Sequence, residues 1–279
     1  MTDHLPDSAR IGRTALTVAN LEESVEFYRD VVGLVVRANS ETAATLGTET
    51  EPLLELHRDA DAPPRNRNQA GLFHNAFEVT SRAALGAALE RIRDRWTLNG
   101  ASDHYVSEAL YLDDPDGNGV EIYRDRPRSA WPRRDDGTVR IGTIPLDLET
   151  LPAESDGATT VPDGTTVGHV HLETTSLEAA REFYVDTLGF EVQTELDRAL
   201  FVSADGYHHH LGVNAWAGRS QPRLADGRGL AWFELLVPSA AALETIRDRL
   251  VTTDVSVTER ENGFETTDPD GITVRIGIA

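Results

Sequence analysis

Strand-like and helix-like patterns alternate along the chain. Apolar and polar residues alternate over Arg13–Val18, and apolar positions then recur at helical spacing over Leu21–Val31, followed by a glycine at Gly33. The same order returns in the strand pattern Leu72–Val79 and the helix pattern Ser81–Arg95. Short strand patterns follow each pair, so the first half of the chain predicts two βαβββ units.

The second half predicts two more units of the same kind. Its first unit has the strand His169–Leu172 and the helix Leu177–Thr187, which ends near Gly189. Its second has the strand Leu230–Val237 and the helix Ala240–Val251. The short strands predicted in the whole chain are Leu34–Arg37, Leu53–His57, Tyr105–Leu112, Gly119–Tyr123, Glu191–Thr194, Ala199–Ser203, His210–Asn214, Val255–Glu259, Gly263–Thr266 and Thr273–Ile278.

Several stretches of the first half also recur in the second. Residues 16–37 align with residues 172–193, so that Phe27-Tyr28 recurs 156 residues later. The turn Asp-Pro-Asp-Gly at 114–117 recurs at 268–271. Such self-similarity indicates two structural copies. The fold class expected is α+β, with a first domain over 1–137, a linker over 138–165 and a second domain over 166–279.

Composition narrows the class of protein. The chain has 279 residues, no cysteine and no apolar run long enough to cross a membrane. Its N-terminus lacks a positive segment followed by an apolar one, so we expect a cytoplasmic protein without a secretory signal. Thiolate metal ligands and disulfides are excluded.

The charge is strongly acidic. The net charge is −21, and all 26 basic residues are arginine. This balance disfavours binding to nucleic acid or to an anionic membrane. It resembles the composition of haloarchaeal proteins, and we therefore expect a halophilic protein, in which salt screens the repulsion between acidic groups.

The segment 102–121 carries the candidate chemistry. It places His104, Tyr111 and Glu121 around the first Asp-Pro-Asp-Gly turn. Imidazole, phenol and carboxylate groups can bind a metal and move protons on a phenolic substrate. The order of His104, Leu110, Tyr111, Pro115, Gly117 and Glu121 resembles the signature of the extradiol ring-cleavage dioxygenases, although Ser102 stands where that family has other residues.

Across nearly the whole chain, the four units and the repeated Phe-Tyr helix resemble the vicinal oxygen chelate superfamily, which includes those dioxygenases and glyoxalase. The phrases starting at Asp103 and Gly206 are most similar to its bacillus-type catechol 2,3-dioxygenase branch. The resemblance implies cupped mixed sheets around a metal site. It also implies Fe(II), with Mn(II) left open, and O2 as co-substrate for aromatic degradation.

The resemblance further implies which residues bind the metal. The family positions for ligands hold His74 and Glu121 in the first copy and His169 in the second, with His171 open as an alternative to His169. The remaining family positions are occupied by residues that complete no second triad, namely Arg13, Trp232 and Arg275. We therefore expect the second and third units to face each other, either within one chain or across a dimer.

Catalytic roles are implied in the same way. His208, in the run of histidines 208–210, fills the family position for proton transfer, and His209 is adjacent. His104 and Tyr111 would hydrogen-bond the substrate oxygens. The expected partners are a small aromatic diol and further copies of the chain, as a homo-oligomer.

Two other functions stay open at this point. A glyoxalase-like isomerase or lyase could use Glu55 as an extra carboxylate, although Arg13 replaces its partner histidine. A ligand-binding member without catalysis would need neither the triad nor His208.

Overall fold

The described residues, 4–135 and 137–279 of the computed structural model, form two mixed β-sheets. The first unit joins the fourth in a sheet of eight strands, and the second joins the third in a sheet of nine. The predicted α+β class is therefore confirmed, and the second and third units meet within one chain.

Each α-helix in the first half of the chain begins with a side-chain cap. Asn20 accepts a hydrogen bond from the amide of Glu23, and Ser81 does the same for Ala84. The elements of this half are β1 (Arg10–Val18), α1 (Leu21–Phe27, continued by a π-helical turn Tyr28–Val32), β2 (Val35–Asn39), β3 (Ala43–Gly47), β4 (Pro52–Arg58), β5 (Gly71–Glu78), α2 (Arg82–Arg95), β6 (Gly100–Asp103), β7 (Ser107–Asp113) and β8 (Gly119–Asp125).

The second half follows the same plan, with Ser176 and Ser239 as the caps. A two-residue strand, β9 (Ile144–Pro145), precedes it. Its elements are β10 (Thr166–Glu173), α3 (Leu177–Arg181, continued by a π-helical turn Glu182–Thr187), β11 (Glu191–Leu196), β12 (Ala199–Ser203), β13 (Leu211–Asn214), β14 (Gly229–Val237), α4 (Ala240–Thr252), β15 (Thr258–Arg260), β16 (Gly263–Thr267) and β17 (Thr273–Ile278).

The strand order shows how the units combine. The first sheet runs β15-β16-β17-β14-β1-β4-β3-β2, and the second runs β11-β12-β13-β10-β5-β8-β7-β6-β9. At each junction the first strands of two units pair antiparallel: β1 with β14, and β10 with β5. Each sheet thus contains strands from both halves of the chain, and the predicted domain boundaries stay a prediction.

The core spans both sheets. One hydrophobic cluster contains buried side chains from all four units. The ring of Tyr28 lies 6.4 Å from that of Phe77, and the amide of Asn75 donates to the hydroxyl of Thr14 across 2.7 Å. These contacts join the first unit to the second and fix the two sheets against each other.

Some boundaries differ from the sequence-based prediction. The strand predicted from Tyr105 begins at Ser107, because Tyr105 has a left-handed backbone (φ 70°) and its amide donates to the carboxylate of Asp103. The segment predicted as the linker, 138–165, packs on the second unit: β9 pairs with β6, and the carbonyl of Leu151 lies close to Gly86 of α2. Among the described residues, no helix is long and apolar enough to span a bilayer.

Candidate metal centre and active site

Three neighbouring strands of the second sheet present the predicted triad. His74 lies in β5, Glu121 in β8 and His169 in β10. His74 Nε2 lies 2.9 Å from Glu121 Oε2, His169 Nε2 lies 3.1 Å from the same oxygen, and the two Nε2 atoms are 3.2 Å apart. Donor atoms bound about 2.0–2.2 Å from one ion lie about 3 Å from one another, so this spacing fits a shared metal.

The triad is buried, and the protonation states of Glu121 and His169 favour metal binding. Burial raises the pKa of Glu121, but His169 and His74 outweigh this effect and hold that pKa well below its usual range. Burial lowers the pKa of His169 to about 4, although Glu121 opposes the change. An ionised carboxylate and a neutral imidazole are the forms that bind metals. Three potential ligand atoms meet here, and one cation could bind all three.

His169, rather than His171, belongs to this group. The extra residue Gly168 makes a β-bulge beside His169, which redirects the strand at that point. His171 Nε2 instead lies 3.1 Å from the amide of Asn214. The group formed by His74, Glu121 and His169 lies within one chain, so a dimer is not required to assemble it.

Tyr111 and His104 form a second polar pair beside the triad. His104 Nδ1 lies 2.7 Å from the carbonyl oxygen of Gly142, and its Nε2 lies 2.7 Å from Tyr111 Oη. A carbonyl only accepts, so Nδ1 of the neutral ring carries the proton and Nε2 accepts from the phenol. Burial, with the charge of Glu121, raises the pKa of Tyr111 well above its usual range, which keeps the phenol protonated.

His208 is held from both sides. Its Nε2 lies 2.9 Å from Asp125 Oδ1, and its Nδ1 lies 2.8 Å from His209 Nδ1. A carboxylate at Asp125 accepts the Nε2 proton, so Nδ1 of a neutral His208 accepts from His209. His209 Nε2 then carries a lone pair, and it has no hydrogen-bond partner among the described residues. The ring of His209 lies 4.2 Å from that of His169.

These groups line one cavity of about 390 Å³. Its polar end holds the triad, the pair His104 and Tyr111, and the rings of His208 and His209. The rest of the wall is mainly apolar. Cavities that combine an apolar wall with a few convergent polar groups are typical small-molecule sites.

At the corresponding place in the first sheet, the described residues form no triad. Arg13 donates to both carboxylate oxygens of Glu234, at 3.0 and 2.6 Å, and to Glu55 at 2.6 Å. The guanidinium of Arg275 lies 3.9 Å from the ring centroid of Trp232. Glu55 is therefore paired within the other sheet and is not part of the triad, which removes the feature that favoured a glyoxalase-like site.

Sequence reasoning did not find every residue of the site. Asp125 follows Glu121 and Tyr123 on the same face of β8, so the alternation of that strand could have located it. The linker residues 141–143 line the cavity, and no pattern in the sequence signalled this. Tyr207 supports the site from behind: its ring lies 4.1 Å from that of His208, and its hydroxyl lies 2.8 Å from that of Tyr123.

Comparison with known proteins now identifies the family. The model of the glyoxalase/bleomycin resistance protein/dioxygenase superfamily matches residues 10–122 and 166–276. The chain belongs to this superfamily. The two matched ranges correspond to the two halves of the duplicated chain, and they confirm the resemblance found in the sequence.

Individual members of the superfamily are also similar. A Bacillus subtilis (strain 168) protein named catechol-2,3-dioxygenase is 39% identical over 271 residues, covering 94% of this chain and 95% of the relative. The structure of a putative dioxygenase from the same species has a TM-score of 0.66 at 12% identity, over 99% of this chain and 86% of that one. Glyoxalase I from Zea mays gives 0.59 at 14%, over 97% and 92%. These two structures share the fold.

Proposed function

We propose that this protein is an extradiol dioxygenase that opens catechol-type rings with O2 at an iron site. The observation that carries the proposal is the convergence of His74, Glu121 and His169 at the polar end of the cavity, within hydrogen-bonding distance of one another. The similarity to a protein named catechol-2,3-dioxygenase over most of both chains supports the same reaction.

The triad residues would hold the metal. Two imidazoles and one carboxylate on one face of an ion leave other positions open, which suits Fe(II) and O2 chemistry. When bound, Fe(II) would supply coordination for the two adjacent oxygens of a diol and a route for electrons to O2. The same two imidazoles and carboxylate can also bind Mn(II). We propose Fe(II) because it is the usual metal of this ligand set.

The histidine pair would handle the substrate proton. His209 Nε2 has a lone pair with no hydrogen-bond partner in the described part of the chain, and it can accept a proton from a diol hydroxyl. The position of His208 in the sequence predicts that this residue transfers protons, and that role stays a prediction. Its bonds to Asp125 and His209 give it the means to fix the tautomer of His209 and to share a proton with it.

His104 and Tyr111 would stabilise charge on the substrate oxygens. While His104 is neutral, the phenol donates to it, and the oxygen of Tyr111 can accept from a substrate hydroxyl. If His104 gains a proton, its Nε2 becomes a donor, and the hydroxyl of Tyr111 is released to donate to a negatively charged oxygen. The pair can thus reverse its polarity during a reaction.

The overall reaction adds both oxygen atoms of O2 to the substrate and breaks the ring bond beside the diol. The product from catechol is a 2-hydroxymuconic semialdehyde, which is yellow. The test is anaerobic loading with Fe(II) at high salt, followed by catechol and air. We expect equal consumption of O2 and catechol with a yellow product; no O2 uptake with any catechol or hydroquinone, despite bound iron, would contradict the proposal.

A further inference from the structure

A row of aromatic rings runs from the triad to the mouth of the cavity. The ring of His171 lies 4.9 Å from His74, 5.0 Å from Phe73 and 5.4 Å from Trp216. Phe73 and Trp216 are themselves in edge contact at 5.5 Å. Phe73 is the extra residue of a second β-bulge in the pairing of β5 with β10. The bulge places this side chain at the mouth of the cavity.

The apolar side chains at the mouth of the cavity are unusually exposed. Phe73 is 39% exposed, Trp216 46% and Leu196 50%, and all three line the same cavity. A cluster of exposed apolar groups at a cavity mouth indicates a binding surface. Val106 and Ile141 also line the cavity, and Val106 is buried in a small cluster with Trp131, Val139 and Tyr207, against which Ile141 packs.

The wall of the cavity has almost no charge. Among its described lining residues, Glu121 is the only one of the aspartate, glutamate, lysine and arginine types. Two arginines lie near the end of β10, but both are paired with Glu173: Arg65 at 3.0 Å and Arg219 at 2.7 Å. Neither lines the cavity. No described arginine is therefore available to a carboxylate on the substrate, and the ionisable lining groups other than Glu121 are histidines and Tyr111.

We propose that the diol taken by this site carries an uncharged, apolar substituent, such as an alkyl or aryl group, which lies on Phe73, Trp216 and Leu196. This inference rests on the proposed function and adds the substrate class. The cavity is of the size that takes ligands larger than catechol alone, since roughly 300–1,000 Å³ is typical for drug-sized molecules. An apolar group would cover the exposed side chains, whereas a carboxylate placed on Phe73, Trp216 and Leu196 would lose water there without gaining an arginine partner.

The test uses one series of diols: catechol, an alkylcatechol, 3-phenylcatechol and 3,4-dihydroxybenzoate. With the iron-loaded protein we expect the apolar diols to exceed the carboxylated one in kcat/KM by at least about 100-fold. Binding is measured independently, without O2, from the quenching of tryptophan fluorescence by each diol. The same order of affinity is expected, and Trp216→Phe should remove most of the quenching by the aryl diol.

Variants separate the mouth from the triad. Trp216→Ala and Leu196→Ala should raise KM about tenfold for the apolar diols and by less for catechol, which has no substituent to lie on these side chains. The effect should fall on KM more than on kcat, because the contact is the same in the ground and transition states. Trp216→Phe should restore KM for the apolar diols to near its native value. Leu224→Ala is the matched control, since this leucine is 42% exposed but does not line the cavity.

The outcomes distinguish this inference from the proposed function. Cleavage of catechol with equal or better use of the carboxylated diol would overturn the substrate class alone. Variants that change the oligomeric state and leave selectivity intact would also overturn it, since the mouth would then be an interface between copies. Failure to cleave any diol would contradict the proposed function, and the affinities measured without O2 would still decide the preference for apolar substituents.

Discussion

The hydroxyl of Tyr28 donates a hydrogen bond to the carboxylate of Asp114 across 3.0 Å. The second copy repeats this contact, from Tyr184 to Asp268 at 2.8 Å. Each bond joins the helix of one unit to the Asp-Pro-Asp-Gly turn of the next. In each copy, the repeated Phe-Tyr motif and the repeated Asp-Pro-Asp-Gly motif thus meet in one buried contact.

We predict that Tyr28→Phe destabilises the protein more at pH 7 than at pH 5. Burial raises the pKa of Asp114 to about 6, although bonds from Asn118 and Tyr28 oppose the change. Above this pKa the phenol stabilises a carboxylate, and a hydrogen bond to a charged group contributes about 1.5–3 kcal/mol. Below it the carboxyl is neutral, and the loss is about 0.5–1.5 kcal/mol. Urea unfolding at both pH values measures the difference.

Tyr184→Phe is the matched variant, because burial also raises the pKa of Asp268 to about 6. The sign follows from linkage: removing the phenol raises the pKa of the folded carboxyl further, so the variant loses stability relative to the native protein as pH rises through about 6. An equal loss at both pH values would show that neither carboxyl titrates in this range.

The fold was predictable where the sequence repeats and less so elsewhere. The repeated Phe-Tyr helices and Asp-Pro-Asp-Gly turns gave the four units, and the complementary positions of His74, Glu121 and His169 indicated which two units meet. The strand Ala43–Gly47 was missed because it has no continuous alternating pattern of its own. The contribution of the linker at Gly142 depends on tertiary packing against His104, which no local pattern encodes.

Tyr111→Phe should lower kcat about 10²-fold while iron content stays unchanged. Removing one preorganised hydrogen-bonding group beside a developing oxyanion typically has an effect of that size. The phenol is bonded to His104 and lies outside the triad, so metal binding should survive. Tyr105→Phe, which changes a tyrosine that does not line the cavity, is the control. A variant that loses iron, or that turns over normally, would contradict the role given to Tyr111.

His209→Asn should reduce turnover about 10²–10⁴-fold, the range expected for loss of a positioned acid–base group. His208→Asn should have a smaller effect if it acts through His209, and both should keep their iron. His57→Asn, at a half-exposed histidine of the other sheet, is the control. If His208→Asn alone abolishes turnover and His209→Asn does not, the proton passes through His208 directly.

Salt should stabilise the folded chain. A net charge of −21 makes the compact state repel itself, and the screening length falls from about 10 Å at 0.1 M to about 3 Å at 1 M salt. We expect the thermal midpoint to rise steadily with KCl over this range. Sucrose at matched osmolality serves as a control for solvent exclusion. A midpoint that is unchanged or lower in KCl would exclude a halophilic character.

The most direct test of the metal centre is the iron bound per chain after anaerobic loading and removal of free metal. The native protein should hold one ion, because the residues that the structure describes form one such triad, and Arg13 and Glu234 pair in the corresponding place of the other sheet. Glu121→Gln and His169→Asn should each lower occupancy below about a tenth, and Glu55→Gln should not change it. Full occupancy in both triad variants would contradict the assignment of the metal centre to these residues.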